Sequence, residues 1–482
     1  GTENVSMGLN TLYTNTTGSS NTALGFCSMF SNTTAGDNTA VGHCALKTNT
    51  TGACNTAIGV GALIANTTAA ENTSIGSASM LGNTTGAKNV AVGRCSLRCN
   101  TTADDNTAVG HASLFANTTG AENTAVGYKA LDANTTASNN TAVGTNALGA
   151  NTTGADNTAL GNQSLATNTT GASNTAVGMC SLKVNTTGQK NVAVGFKALD
   201  ANTTGAENVS VGRDALGANT TAAYNTAVGF CSLPTNTTGE MNTALGSESL
   251  KCNTTGSQNV SIGRQALCAN TTATGNTAVG MLASRKNTTG ASNTAFGSGA
   301  LACNTTGDEI TAIGQAALES NTTGSDNTAV GRKAFENGTT GSNNTALGHA
   351  SGTDGVLNLT TQSNSIVIGN NSNTAAYIKI DWSVTSDLRD KTEIADVPYG
   401  LDFVNQITPI KYKFKTSREN DTPTGRSRYG FKAQEILELE GDNPILVNND
   451  DEDNLKLTGA YLVPVLVNAI KELTARVKEL ED

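Results

Sequence analysis

The chain has 482 residues, of which 52 are glycine and only 4% are aromatic, and it carries a net charge of −10. An acidic chain without a basic stripe lacks the positively charged surface that nucleic-acid binding needs. No apolar run reaches the length of a membrane span. We therefore expect partners that are neither nucleic acid nor membrane.

Most of the chain repeats one 17-residue unit, of which NTAVGYKALDANTTASN, residues 123–139, is a representative copy. The opening residue recurs every 17 positions from Asn4 to Asn344, which makes 21 units without an insertion or deletion, and Ile310 is the one opening residue that is not asparagine. A constant period is typical of stacked coils, because surface loops would tolerate length changes. We number each unit from position 0, its opening residue, to position 16.

Each unit contains two short apolar stretches bounded by Gly, Asn and Thr. Position 3 is always large and apolar, position 8 is nearly always Leu or Met, and positions 2 and 7 are small. This pattern predicts short strands joined by turns, since a helix could not absorb a glycine and an NTT cluster every 17 residues. Position 4 is glycine in all 21 units, so we expect it to be the single position that needs a positive φ or a close backbone approach.

Residues 1–353 are therefore predicted to form an all-β repeat, a β-solenoid or β-roll of 21 units. Identical Asn and Thr side chains would stack and hydrogen-bond along such a coil. At ~4.8 Å per rung the coil would be about 100 Å long. Two large apolar residues per unit make a thin core, which indicates that chains share it, most simply three around one axis. Disorder is the alternative for so polar a region, but only Pro234 lies within the repeats.

The cysteines and histidines do not have the spacing of a metal site or a disulfide framework. Cys27 and Cys44 fall on adjacent rungs, within disulfide range, although cysteine also serves as a small apolar filler. His43, His111 and His349 all occupy position 5, which we predict to face outward. They lie at least four rungs apart, so one chain cannot gather them, and we predict no metal and no cofactor; a ring of three copies of one histidine in a trimer stays open.

The NTT triplet at position 11 occurs 19 times, and each copy matches the acceptor motif for N-glycosylation. The alternative is turn chemistry, in which Asn tolerates a left-handed backbone and Thr caps the turn. In a chain made in a eukaryotic secretory pathway these turns could carry a glycan sheath, whereas in a bacterial cytosol only the turn chemistry applies. The first candidate sites are Asn15, Asn32, Asn49, Asn66 and Asn83.

A transition segment, residues 354–385, follows the repeats and contains NSIVIG at 364–369. NSIVIG resembles the motif of the β-roll heads of trimeric adhesins, and NTAVG is a looser version of it. The resemblance covers residues 1 to about 370. It implies left-handed coils assembled as three chains.

From residue 386 the composition becomes that of a small α+β domain, with SDLRDK, YGLDFVNQITPIKYKFK and YGFKAQEI in order. These motifs resemble the C-terminal intramolecular chaperone domain of phage tail fibres and endosialidase tailspikes, a self-cleaving Ser/Lys peptidase family. The resemblance implies Ser386 as nucleophile and Lys391 as base, with Asp387 and Arg389 as supporting motif residues. It also implies cleavage of the bond between Thr385 and Ser386.

A gap of five residues places Ser386 and Lys391 on opposite sides of a strand, so a bend between them is required for their reaction. Serine attacks only when a base takes its proton, and lysine is a base only when its surroundings favour the neutral amine. Asp390 would oppose this if it paired with Lys391 and kept the amine protonated.

The end of the chain predicts a coiled-coil helix over residues 464–482, beginning at Pro464, which is compatible with a first helical turn. Its apolar residues are spaced 4, 3, 4 and 3 apart, which is a heptad pattern. Three such helices would hold the C-termini in register before the repeats pair. The seam residues are Leu466, Ile470, Leu473, Val477 and Leu480.

These features together predict a homotrimeric fibre of viral attachment type on a virion surface or in an extracellular setting, with a cell-surface glycan or protein as receptor. Any enzymatic activity would be a single self-cleavage in cis. The alternatives are a secreted cellular adhesin or structural filament, and a glycan-degrading tailspike, which would need a domain with paired carboxylates. Membrane-tethered transcription factors share the chaperone resemblance but would need a membrane span and a basic region.

Overall fold

The computed structural model describes residues 1–353, 358–370, 372–373, 386–418, 420–442, 444–449 and 455–481. The chain divides into two compact units, which are described separately. The first contains Gly1–Ala350 and Leu359–Val367, and the second contains Ser351–Asn358 and Ile368–Asp482.

The first unit is a coil with a strand of three residues in each repeat. Each strand starts at position 1, directly after the opening residue, and ends at position 3 before the glycine. The strands are β1 Val5–Met7, β2 Thr22–Leu24, β3 Thr39–Val41, β4 Thr56–Ile58, β5 Thr73–Ile75, β6 Val90–Val92, β7 Thr107–Val109, β8 Thr124–Val126, β9 Thr141–Val143, β10 Thr158–Leu160, β11 Thr175–Val177, β12 Val192–Val194, β13 Val209–Val211, β14 Thr226–Val228, β15 Thr243–Leu245, β16 Val260–Ile262, β17 Thr277–Val279, β18 Thr294–Phe296, β19 Thr311–Ile313, β20 Thr328–Val330, β21 Thr345–Leu347 and β22 Ile366–Ile368.

Successive strands of the repeats pair in parallel, each residue lying beside its equivalent 17 residues later. Thr124 pairs with Thr141, for example, and Ala125 with Ala142. This register confirms a β-solenoid with one rung per unit. The second apolar stretch does not form the strand we expected within residues 1–353. It lies in a turn, because position 6 (Lys129, φ 51°) and position 8 (Leu131, φ 53°) have left-handed backbone.

The interior of the coil is built from small residues and one large residue per rung. Ala125, Ala130 and Leu131, at positions 2, 7 and 8, are all fully buried. Position 3 points the other way, since strand side chains alternate and position 2 takes the inward side. Val126 is half-buried and Phe296 is 56% exposed. The expectation of two large core residues per unit was therefore wrong for a single chain.

Two asparagine ladders run through the interior, at positions 0 and 11. At position 0 the side chain of Asn106 accepts from the backbone N–H of Asn123 at 3.0 Å and from its Nδ2 at 3.1 Å. At position 11 the Nδ2 of Asn134 donates to Oδ1 of Asn117 at 2.8 Å and to the carbonyl of Ala137 at 2.9 Å. The predicted stacking of amides along the coil is confirmed, and it satisfies polar groups that would be costly to bury alone.

The glycine at position 4 has both properties that we expected. Gly127 has a φ of 139°, and a Cβ placed on it would lie 2.5 Å from the carbonyl oxygen of Gly144 on the next rung. It is not the only position with a positive φ, however. Positions 6, 8 and 16 also have a positive φ, which is 51° at Lys129, 53° at Leu131 and 61° at Asn139, and they are not restricted to glycine.

The NSIVIG segment continues the coil after a longer connection. The backbone N–H of Thr345 donates to the carbonyl of Ser365 at 2.8 Å, and the N–H of Ser365 donates to Oδ1 of Asn344 at 3.0 Å. These contacts repeat the rung pattern at an offset of 21 residues instead of 17. The coil thus extends past residue 353 into β22. Residues 354–357, 371 and 374–385 of the transition segment lie outside the described residues.

The second unit is a small mixed domain. β23 pairs antiparallel with β24, and β25 with β26. Its core contains Phe403, Ile436, Leu446, Leu462 and Val465. The elements are a 3-10 turn Leu388–Asp390, α1 Leu401–Val404, β23 Ile410–Ser417, β24 Asn420–Gly430, α2 Ala433–Glu440, β25 Val447–Asn448, β26 Lys456–Leu457, a 3-10 turn Gly459–Tyr461 and α3 Leu462–Glu481.

Candidate functional site

The predicted nucleophile and base lie on either side of a tight turn. Asp387 caps the 3-10 turn Leu388–Asp390, because its Oδ1 accepts from the backbone N–H of Arg389 at 2.9 Å. The turn closes with the N–H of Lys391 donating to the carbonyl of Leu388 at 3.2 Å. A short polar side chain that binds the backbone two residues on is what makes Asp a turn former.

This turn brings Ser386 and Lys391 together, with Nζ of Lys391 donating to Oγ of Ser386 at 2.9 Å. The bend that the five-residue gap requires is therefore present in the single chain. Both side chains are exposed to solvent. The carbonyl of Thr385, the expected target of Ser386, lies outside the described residues, as does the side chain of Asp390.

The other two motif residues form an ion pair. The guanidinium of Arg389 donates through Nε to both carboxylate oxygens of Asp387 at 3.1 Å, and through Nη2 to Oδ2 at 2.5 Å. These bonds hold the pKa of Asp387 below its usual range and raise the pKa of Arg389. The pair is solvent-exposed, so it adds little stability, and it joins two residues of the same turn.

Residues distant in sequence hold the segment that follows the turn. Oε2 of Glu472 accepts from the N–H of Leu401 at 2.7 Å, and Nδ2 of Asn468 donates to the carbonyl of Tyr399 at 3.0 Å. Glu440 accepts three backbone N–H groups in the same way, at residues 445–447. These supporting residues were missed by sequence reasoning, since their partners lie up to 71 residues away and no motif marks them.

Helix α3 has two apolar faces. Leu462, Val465 and Ala469 are buried against the domain, whereas every residue of the predicted seam is exposed. Ile470 is 62% exposed, for example. The helix begins at Leu462, two residues before the predicted start, and Pro464 lies in its first turn. The exposed seam residues are Leu466, Ile470, Leu473, Val477 and Leu480.

The asparagines of the candidate glycosylation sites form the ladder at position 11. Asn32, Asn49, Asn66 and Asn83 are fully buried, and each Nδ2 donates to the asparagine of the preceding rung and to the carbonyl at position 14. Asn15 is half-buried and donates in the same turn. A glycan on Nδ2 would require the asparagine to leave the ladder, so the folded coil favours the turn-chemistry alternative for these triplets.

The ten cysteines are free thiols, and Cys27 and Cys44 are buried without a bridge. The histidines face outward as expected, and His111 stacks on Tyr128 of the next rung with ring centres 5.5 Å apart. Within the described parts of the chain, no group of acidic, Cys and His residues could hold a metal ion. Over the same residues, each helix is too short or too polar to span a bilayer.

A parallel β-solenoid followed by a small domain whose C-terminal helix keeps one apolar face exposed defines a fibre-like protein with a C-terminal accessory domain. Residues 386–443 match the family model described as chaperone of endosialidase. The matched segment begins at Ser386 and contains the whole Ser/Lys turn. The solenoid and this match together fit a tail-fibre-like protein with an endosialidase-type chaperone. Comparison with curated proteins gives no match, and comparison with solved structures gives none either.

Proposed function

We propose that this protein is a homotrimeric attachment fibre of a virus or phage, whose C-terminal domain brings three chains into register and then cleaves itself off. The observation that carries the proposal is the presence in one chain of a coil with a single repeated register and, later in the sequence, a segment that matches the chaperone of endosialidase. The fibre would be displayed on a virion or outside a cell. Its receptor would be a cell-surface glycan or protein.

A register problem gives the chaperone its physical purpose. Every unit of the coil has the same length and nearly the same sequence, so a chain can pair with the wrong rung of its neighbour at little cost. Exposed apolar residues on α3 recur at heptad spacing, and Leu473 and Val477 are about half-exposed. Three such helices would bury these residues against each other and set one register for all three coils.

Self-cleavage requires the hydroxyl of Ser386 to attack the carbonyl carbon before it. Lys391 takes the hydroxyl proton and then returns a proton to the amide nitrogen of Ser386 as the C–N bond breaks. The resulting ester to Thr385 is hydrolysed by water, which leaves a carboxylate and a free serine. Lys391 is exposed in one chain, so we propose that neighbouring chains cover it in the trimer and favour its neutral form.

Release of the template would leave the fibre kinetically trapped, since the register could not form again after unfolding. This requires that the coil remains assembled after cleavage. Because the domain is proposed to set the register while the chains assemble, deleting residues 386–482 before expression should yield aggregated or misregistered chains. A truncated chain that folds to the same trimer in the same yield would contradict the chaperone function.

The cleavage proposal is tested by intact-mass spectrometry after trimer formation. The wild type should yield two fragments divided before Ser386, together heavier than the precursor by one water. Ser386→Ala and Lys391→Arg should both stay at full length, because arginine retains the charge but does not act as a base. Ser427→Ala, on the exposed strand β24, is the matched control and should cleave normally. A wild type that stays intact as a trimer would leave a chaperone without protease activity.

A further inference from the structure

The coil presents one continuous strand face to solvent, with threonine or valine at position 1 and an apolar residue at position 3 of every unit. Positions 1 and 3 of each strand point outward on either side of the buried position 2. Position 3 is apolar in every unit, and Phe296 and Leu245 are 56% and 45% exposed. With 22 stacked strands at ~4.8 Å and three residues at ~3.3 Å, this strand face measures about 1,000 Å². That is of the same order as the ~800 Å² that each partner buries in a standard stable interface.

The two borders of the strand face carry opposite charge. Position 5, which follows the glycine, holds four arginines and three histidines and no acidic residue in any of the 21 units. Positions 15 and 16, which precede the strand, hold eleven acidic residues and two lysines between residues 19 and 343. We call these borders the basic rim and the acidic rim.

The two rims cannot neutralise each other within one rung. Asp326 and Arg332, for example, flank β20 and lie six residues apart, which is roughly 20 Å along an extended chain. Contacts along each rim involve residues on the same side of the strand. Lys190 and Glu207, both at position 16, are 3.4 Å apart in the acidic rim, and Arg332 lies 3.2 Å from His349 in the basic rim.

We infer that the strand face is the surface on which copies of this chain meet, with the basic rim of one copy against the acidic rim of the next. The inference rests on the proposed fibre and specifies how its chains join. A partner must match a repeat of about 4.8 Å over about 100 Å, and a second copy in the same register does so at every rung. The contact joins two different edges, so it is heterologous, and copies at the same height around one axis would close it into a ring.

This arrangement predicts which charges face each other. In an assembly with all chains in register, the same strand of each copy lies at the same height around the axis. The acidic and basic residues that flank one strand are then opposed between neighbouring copies. Arg332 of one chain would face Asp326 of the next across β20. Apolar residues at position 3 would meet nearer the axis.

The first test places charge on the strand face of three neighbouring rungs. The full-length variant Val194→Asp/Val211→Asp/Val228→Asp is compared with Thr187→Asp/Thr204→Asp/Thr221→Asp, which adds the same charge to exposed threonines at the NTT turn. Sedimentation should show trimers for the wild type and the control, and at least a tenfold loss of trimer for the strand-face variant. A strand-face variant as trimeric as the control would overturn the inference.

The second test covers the case in which the first variant does not fold. Asp326→Arg and Arg332→Asp should each slow trimer assembly severalfold, with less effect at high salt. The double variant should restore assembly, because the opposed charges are exchanged and not lost. A double variant no better than the single ones contradicts the rim pairing. A wild type that is not trimeric would instead contradict the proposed fibre, so the two failures are distinguishable.

Discussion

Removing one amide from the asparagine ladder at position 11 should weaken the coil locally. Asn134→Ala deletes the donation from Nδ2 to Asn117 at 2.8 Å, the donation to Ala137 at 2.9 Å and the acceptance from Nδ2 of Asn151 at 3.1 Å. Each bond contributes about 1 kcal/mol net, and a buried acceptor left without a partner costs about 1–2 kcal/mol more. We expect local opening to become easier by about 3–5 kcal/mol per chain.

Hydrogen exchange measured by mass spectrometry is the appropriate assay, since each rung of a solenoid contacts chiefly its neighbours. Amides of residues 117–151 should exchange on the order of a hundredfold faster or more in the variant, while remote rungs remain unchanged. Thr136→Ala, in the same turn but exposed, should shift exchange by no more than about 0.5 kcal/mol. Equal exchange in the two variants would refute the view that the ladder stabilises the coil.

The coil contains a natural interruption of this ladder. Position 11 of one unit is Gly338, and Oδ1 of Asn321 on the preceding rung is buried with no hydrogen-bond partner among the described residues. Phe335 at position 8 of that unit is fully buried, and its ring lies 2.8 Å from where a Cβ on Gly338 would be. The glycine thus makes room for a core residue larger than the usual leucine.

Three further predictions concern this compensation, the invariant glycine and the Ser/Lys turn. Gly338→Asn should lower the free energy of unfolding by about 1–3 kcal/mol through overpacking. Adding Phe335→Leu should restore the lost stability in thermal unfolding. A double variant as unstable as the single one would contradict the view that Gly338 makes room for Phe335. Gly127→Ala should lower the melting temperature or block folding, since its φ of 139° and the approach of the next rung leave no room for a Cβ; an unchanged transition would contradict this. Asp387 has a lowered pKa, so its ion pair should persist at ordinary acidic pH and be lost only as pH falls through that lowered pKa. NMR titration of the carboxyl should show this, and Arg389→Leu should return the pKa toward its usual value.

The sequence alone determined the period, the pairing register and the need for glycine at position 4. A spacing of 17 without insertions leaves one way to stack the units, and residues at equal positions then become neighbours on successive rungs. The stacking of Asn106 and Asn123 follows from this spacing. The heptad spacing likewise indicates the C-terminal helix, and the SDLRDK motif indicates the Ser/Lys turn, from the sequence alone.

Only the tertiary structure decided which way the side chains point. Val126 faces outward because it alternates with the buried Ala125 along the strand. Leu131 faces inward because left-handed backbone at positions 6 and 8 turns the second apolar stretch into the interior, and no local propensity favours that backbone for leucine. The same applies to the separation of 2.9 Å between Lys391 and Ser386, which depends on a turn capped by Asp387. In each case the backbone angles are set by hydrogen bonds to neighbouring rungs or residues, which the spacing of residue types does not encode.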